Sequence, residues 1–336
     1  MIRQPDNKST LRNQAISDRK ENDYSIINGR CRIFLSMILK SLNFILLFIA
    51  LSCYEKKSEK AKYNLDSYGS YIVVDLQPPY YISDLSSTPS DLLTNVEYKT
   101  TKIVMKRIPA GEFLMGDETG VGFWEELPVH SVKITNDFYI GIFEVTQRQW
   151  FEVMGTWPSI FTTDRDMLPV ESTSWYDIKG PCRFIDSISS QTGISIDLPT
   201  EAEWEYCCKA GTSTNYSYGN IVDGNYMWYW DNSMGWYEEV GTKLPNPWGL
   251  YDMHGNGYEW CLDWFSAYYE NTPSYYQVCY DAGTISDPVG PTRGTNKVIR
   301  GGRSSATQCR SADRGRGDPN EPDFSPGFRL VAVRRD

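Results

Sequence analysis

Residues 250–265 read LYDMHGNGYEWCLDWF. A core strand does not break its aromatic run with Gly-Asn-Gly, because glycine inside a strand costs entropy and packs nothing. A surface loop does not set Tyr, Trp and Phe on both sides of its turn. The segment demands a tight turn seated on an aromatic core. From about position 102 onward, short apolar runs alternate with Gly, Pro, Asn and Asp clusters. The β-like pieces at 102–108, 131–134, 138–143 and 328–333 are too short and too spaced for a doubly wound parallel sheet. Helix starts are marked by capping patterns: Thr146 with Gln149, Ser174 with Asp177 ahead of a helix over 175–190, and Thr200 with Glu203 ahead of a helix stopping at Gly211. The expected class is α+β, with few helices, short antiparallel strands and much irregular structure.

The chain has 336 residues, with 11 Trp and 23 Tyr, so a substantial core can form. Its formal net charge is −10 with no long basic run, which excludes nucleic acid as an expected partner. His130 and His254 are the only histidines, which argues against multi-histidine metal centres. Neither a P-loop nor a Gly-x-Ser-x-Gly elbow is present. The tripeptide Arg316-Gly317-Asp318 is read as a chance occurrence.

The amino-terminal part has a different character. Residues 1–36 are polar and charged and stay unexplained, and Met37 is the expected true start. Residues 37–53, MILKSLNFILLFIALSC, place Lys40 before an apolar run of roughly ten residues, too short to span a bilayer, which needs about 20. This fits a signal peptide. Ala50-Leu51-Ser52 before Cys53 resembles a relaxed bacterial lipobox, which makes Cys53 the expected lipidation site. Residues 54–100 read as a charged tether and an irregular lead-in, and 101–336 as the folded domain.

Within the opening segment, Asp252 and Glu259 bracket a turn whose carbonyls can converge, and hard cations such as Ca²⁺ take such oxygens. The residues alone favour the plainer reading, a tight turn beneath an aromatic core with Trp260 and Trp264 packed inward.

Blocks across the domain carry a family resemblance. In order they are IPAGEFLMGDE (108–118), LPVHSVKI (127–134), FYIGIFEVTQRQW (138–150), LPVESTSWYD (168–177), LPTEAEWEYCCKAG (198–211), NPWGLYDMHGNGYEW (246–260), VIRGG (298–302) and SPGFRL (325–330). The series resembles the sulfatase-modifying factor family, whose founding members are the formylglycine-generating enzymes. The resemblance implies the irregular α+β fold of that family, related to C-type lectins. It implies a structural calcium with Asp252 and Glu259 as side-chain ligands and Gly255 and Gly257 as carbonyl ligands. A second site would use Asn225 and Tyr226. Gly257 and Tyr258 depart from the family pattern, and His254 replaces an apolar position, where it is expected to pack rather than catalyse.

The family's enzymes oxidise a sulfatase cysteine with copper held by two cysteines just after the Gly-Gly pair. Here Arg303 to Gln308 contain no cysteine, and Cys309 stands alone. A lone thiol cannot make a two-thiolate Cu(I) site, so copper is not expected, and Cys309 is catalytic only if an altered site is active. The resemblance implies a disulfide from Cys208 whose partner position is Ser311 here; the expected bond is Cys309 to Cys208, or to Cys207. Cys261 and Cys279 flank an insertion-like Tyr-rich loop and are expected to staple it. Cys182 is expected as a buried free thiol. In the family the arginine-rich tail lines the substrate groove, which points to Arg303, Arg310 and Arg314; the plainer alternative is an internal ion-pair lattice.

Two functions follow as expectations. One is a lipid-anchored bacterial envelope protein whose domain binds other envelope proteins or a peptide segment without chemistry. The other is an oxidoreductase modifying a cysteine of an exported sulfatase, or of another protein, through an altered site.

Overall fold

The computed structural model describes residues 65–162, 165–266, 275–322 and 326–333. The extension over 1–36, the signal peptide over 37–53 with its lipidation site Cys53, and the first part of the tether lie outside the described residues.

The strands are β1 (Tyr71–Asp75), β2 (Tyr81–Leu85), β3 (Lys102–Ile108), β4 (Gly111–Met115), β5 (His130–Ile134), β6 (Phe138–Gly141), β7 (Ile196–Asp197), β8 (Glu259–Trp264), β9 (Ile285–Ser286), β10 (Lys297–Arg300), β11 (Gly315–Gly317) and β12 (Val331–Ala332). The helices are α1 (Gln147–Met154), α2 (Trp175–Lys179), α3 (Phe184–Thr192), α4 (Glu201–Lys209), α5 (Trp230–Ser233) and α6 (Tyr275–Asp281). An antiparallel six-stranded sheet runs β2-β1-β3-β6-β12-β7. Two smaller sheets run β11-β10-β8 and β4-β5-β9, the β5–β9 pair being parallel. The class is mixed α+β with short, mainly antiparallel strands, as the sequence implies.

The lead-in requires correction. Residues 54–100 read as tether, yet β1 lies inside the large sheet between β2 and β3, with Val73 opposite Val104. All five of its residues, Tyr-Ile-Val-Val-Asp, are buried. Alternate side chains point to opposite faces of a strand. Ile72 and Val74 join the core of Trp150, Phe184 and Phe328, while Tyr71 and Val73 join that of Phe143 and Tyr251. The folded body therefore begins well before Thr101.

The capping signals hold. Thr146 accepts from the Gln149 N–H at 3.2 Å, and the Gln149 side chain accepts from the Thr146 N–H at 2.9 Å. Thr200 and Glu203 exchange the same pair at 3.1 and 2.7 Å. The single helix expected over 175–190 is instead α2 and α3. Pro181 disfavours helical backbone at Gly180, which closes α2 in extended conformation. Trp150 then stacks on Phe184 at 5.2 Å and Phe184 meets Phe328 edge-on at 5.2 Å, so the break turns α3 onto the core beside α1.

Candidate functional site

The turn before β8 is built on positive φ: Asp252 at 56°, Gly255 at 95° and Asn256 at 64°. A Cβ on Gly255 would lie 2.0 Å from the Trp228 carbonyl oxygen, so only glycine fits. Asn256 clamps the turn, donating to Glu144 Oε2 at 2.7 Å and accepting from the Glu238 N–H at 3.0 Å.

The expected calcium ligands differ in how far protein donors already satisfy them. Glu259 accepts from Arg329 at both oxygens, each at 2.6 Å, and from Trp204 Nε1 at 2.9 Å. Its charge is met by a guanidinium that also binds the carbonyls of Gly141, Ile142 and Tyr251. The Gly255 carbonyl receives the Gly257 N–H at 2.9 Å. Glu259 thus does not fit the ligand role. Asp252 does: Oδ2 accepts from the Gly241 N–H at 2.7 Å, while Oδ1 is buried without a partner. Glu144 Oε1 is orphaned in the same way. Burial pushes the Asp252 carboxyl up to about 6, and burial with the charges of Glu259 and Asp252 holds Glu144 well above the carboxylate range. The signal for Glu144 lay in FEVT, which the sequence reading took only as part of a family block.

Asn225 and Tyr226 are not drawn into a site. The Asn225 carbonyl accepts from the Leu244 N–H at 2.9 Å, and the Tyr226 ring stacks on Tyr218 at 4.3 Å. Among the described residues no group of three or more His, Cys, Asp or Glu side chains has metal-holding geometry.

The turn abuts the segment that follows Gly301-Gly302. The Gly255 N–H donates to the Gly301 carbonyl at 2.9 Å. His254 Nδ1 donates to the Cys309 carbonyl at 2.8 Å, and Nε2 accepts from the Ser217 N–H at 3.0 Å. An N–H directed at Nε2 fixes the neutral tautomer, and burial lowers the imidazole pKa to about 4. His254 is a satisfied core histidine.

The disulfide expectations fail. Cys207, Cys208, Cys261 and Cys309 are buried thiols, and Cys261 is not bonded to Cys279. Cys208 Sγ faces the Met253 carbonyl at 3.4 Å, whereas Cys309 Sγ turns into its own helical turn toward the Ser305 carbonyl at 3.3 Å. The two thiols are committed to different carbonyls. Burial pushes Cys208 up to about 12 and raises Cys309 as well, so neither is a ready thiolate. Cys182 is half-buried and disulfide-bonded rather than a buried free thiol.

The arginines divide. Arg310 binds Glu126 through both Nη atoms at 2.7 and 2.6 Å, and Arg314 binds Glu201 through Nε and Nη2 at 2.6 and 2.7 Å. Arg300 binds Glu205 and reaches Glu201 at 3.6 Å. These side chains are buried, so Arg310 and Arg314 do not line a groove; the lattice reading applies to them. Arg303 differs. It donates to the Gly235 carbonyl at 2.9 Å and lies 4.5 Å from the Tyr237 ring centre and 6.0 Å from that of Phe161, with no carboxylate partner among the described residues. Around it stand Ile160, Trp230, Met234 and Trp236, 58%, 57%, 79% and 59% exposed. The sequence reading missed this rim, although YMWYWDNSMGWY at 226–237 carries more aromatics than a turn needs.

Comparison with known proteins places the domain in a family. The sulfatase-modifying factor enzyme 1-like domain matches residues 91–334. A serine/threonine-protein kinase pkn1 of Chlamydia pneumoniae is 30% identical over 254 residues, covering 68% of this chain and 37% of the kinase. The chain thus spans little more than a third of that relative's length. A formylglycine-generating enzyme of Streptomyces coelicolor is 28% identical, over 67% of this chain and 88% of that enzyme. Among solved structures, Treponema denticola variable protein 1 superposes with a TM-score of 0.59 at 28% identity, over 69% of this chain and 95% of that one. From the match over residues 91–334, the chain belongs to the family of sulfatase-modifying factor enzyme 1-like domains.

Proposed function

We propose that this chain is a lipid-anchored bacterial envelope protein whose domain binds a partner protein or peptide and does no chemistry of its own. One observation carries the reading. Where the formylglycine-generating enzymes hold copper between two thiols, Arg303 to Gln308 offer none, and Cys309 is buried with its sulfur on the Ser305 carbonyl. A thiol pushed upward by burial is neither a good nucleophile nor a ready Cu(I) ligand. The apolar run ending at Cys53 supports the anchor and the envelope location.

The test uses the purified mature chain. Titrated with Cu(I) against a competing chelator, it is expected to bind no more than adventitious copper, and a sulfatase-motif peptide is expected to keep its cysteine. Tight 1:1 Cu(I) binding with conversion to formylglycine would overturn the reading and return the oxidoreductase alternative. Mass spectrometry of the mature amino terminus is expected to find acylated Cys53; an intact 1–52 segment would remove the anchor.

Calcium belongs to the same proposal as a structural ion. Asp252 and Glu144 would hold it through their orphaned oxygens, with Glu259 left to Arg329. There it would neutralise two buried acids that otherwise favour protonation.

A further inference from the structure

We infer that the exposed aromatic rim around Arg303 is a docking platform for a peptide that presents a carboxylate beside an apolar side chain. The inference rests on the binding-module reading and names the chemistry of its partner. Ile160, Trp230, Met234 and Trp236 are each more than half exposed, and they lie in or beside the two segments, 160–161 and 230–237, that meet at Arg303. The Phe161 and Trp236 rings meet edge-on at 5.2 Å, as do those of Phe161 and Tyr237. The Trp230 N–H donates to the Arg303 carbonyl at 3.1 Å, and the Trp230 ring covers Gly235, where a Cβ would come within 2.5 Å of it. The surface is therefore held in place before any partner arrives, which lowers the ordering cost of binding. Contiguous exposed apolar surface of this kind marks interaction sites, and Trp, Tyr and Arg dominate binding hot spots.

The charge selects the occupant. Arg310 and Arg314 are neutralised by Glu126 and Glu201. Among the described residues the Arg303 side chain makes one hydrogen bond, to the Gly235 carbonyl, and otherwise faces rings. Glu171, the acid behind Phe161, accepts from the Phe161 N–H at 2.9 Å and from the Ser172 hydroxyl at 2.5 Å instead. A guanidinium carries five donors in a fork that matches a carboxylate. Half-buried among aromatics, it gains from a carboxylate while the rim takes the adjoining apolar group. The second exposed apolar set, Val121, Phe123, Trp124 and Leu127, lacks this feature, because the arginine behind Phe123 is Arg310, already paired.

The test is an array of Gly-Ser peptides in which Asp, Glu, Asn, Gln or Lys adjoins Phe, Trp or Leu, probed with the purified mature chain. Acidic members are expected to be retained about tenfold better than their amide counterparts, the scale of one charge-assisted hydrogen bond. Arg303→Gln is expected to erase that preference, and Trp236→Ser to weaken both sets, with unchanged thermal melts showing that the variants are folded. Equal retention of acids and amides, preference for Lys, or no retained peptide overturns the proposal. Retention that ignores charge yet responds to Trp236→Ser leaves the binding-module reading standing, whereas formylglycine formation sinks that reading independently.

Discussion

Arg329 and Arg303 show two uses of the same side chain. Arg329 is fully buried, with Glu259 on its fork and the carbonyls of Gly141, Ile142 and Tyr251 on its remaining donors. Arg303 lies at a surface, over rings, with no acid partner among the described residues. The first joins β8, the turn before it and the end of the chain into one body. The second leaves a positive charge where a partner can reach it. In an irregular fold whose helices and strands are short, paired arginines do the joining that longer elements do elsewhere, and Arg303, with no acid partner among the described residues, stands apart from them.

The comparison breaks most readily at Arg329. Removing one partner of a buried ion pair leaves an uncompensated charge and costs about 3–5 kcal/mol. Arg329→Met is expected to lose that much in urea unfolding, and Arg310→Gln and Arg314→Gln to lose on the same scale. A midpoint unchanged in Arg329→Met would mean that Glu259 has another counter-charge.

Calcium comes next in size. Melting in millimolar calcium is expected to exceed melting in EDTA, since an ion that binds only the folded state stabilises by mass action. Glu144→Gln is expected to remove most of that difference and Glu259→Gln to keep it. The reverse pattern would restore Glu259 as the ligand.

A pH scan sharpens the account of the buried acids. Asp263 is raised to about 7 by burial, then by the Glu201 charge. A carboxyl raised above its unfolded value favours folding fully below about pH 4, and that contribution is lost as pH rises through about 7. Asp263→Asn, which can still accept from the Glu201 N–H, is expected to melt above the wild type at pH 8 and to lack its decline between pH 5 and 8. A variant with an unchanged slope would place the proton elsewhere.

What the sequence made legible was local. Thr146 with Gln149 and Thr200 with Glu203 are capping partners three positions apart, and the structure forms both. The ordered family blocks carried the fold class, because each block is a contiguous stretch. Pairings over distance were not legible. Arg310 meets Glu126 across 184 positions, so the same arginine reads equally as groove or lattice until the chain is folded. The thiols misled for a related reason: cysteine spacing says nothing about which carbonyl each sulfur turns toward. β1 was lost because YIVVD, buried on both faces, lacks the alternation that marks a half-exposed strand.

The smallest stability effect carries the most weight for function. Arg303→Gln removes no ion pair among the described residues, so its melt is expected to stay within about 0.5 kcal/mol of wild type, as for an ordinary surface change. Measured beside Arg310→Gln, in the same unfolding assay and on the same peptide array, it tests the division of roles directly. The account predicts a destabilised Arg310→Gln that still prefers acidic peptides while folded, and a stable Arg303→Gln that has lost the preference. A stable Arg310→Gln without the preference, or an Arg303→Gln that unfolds readily, would contradict it.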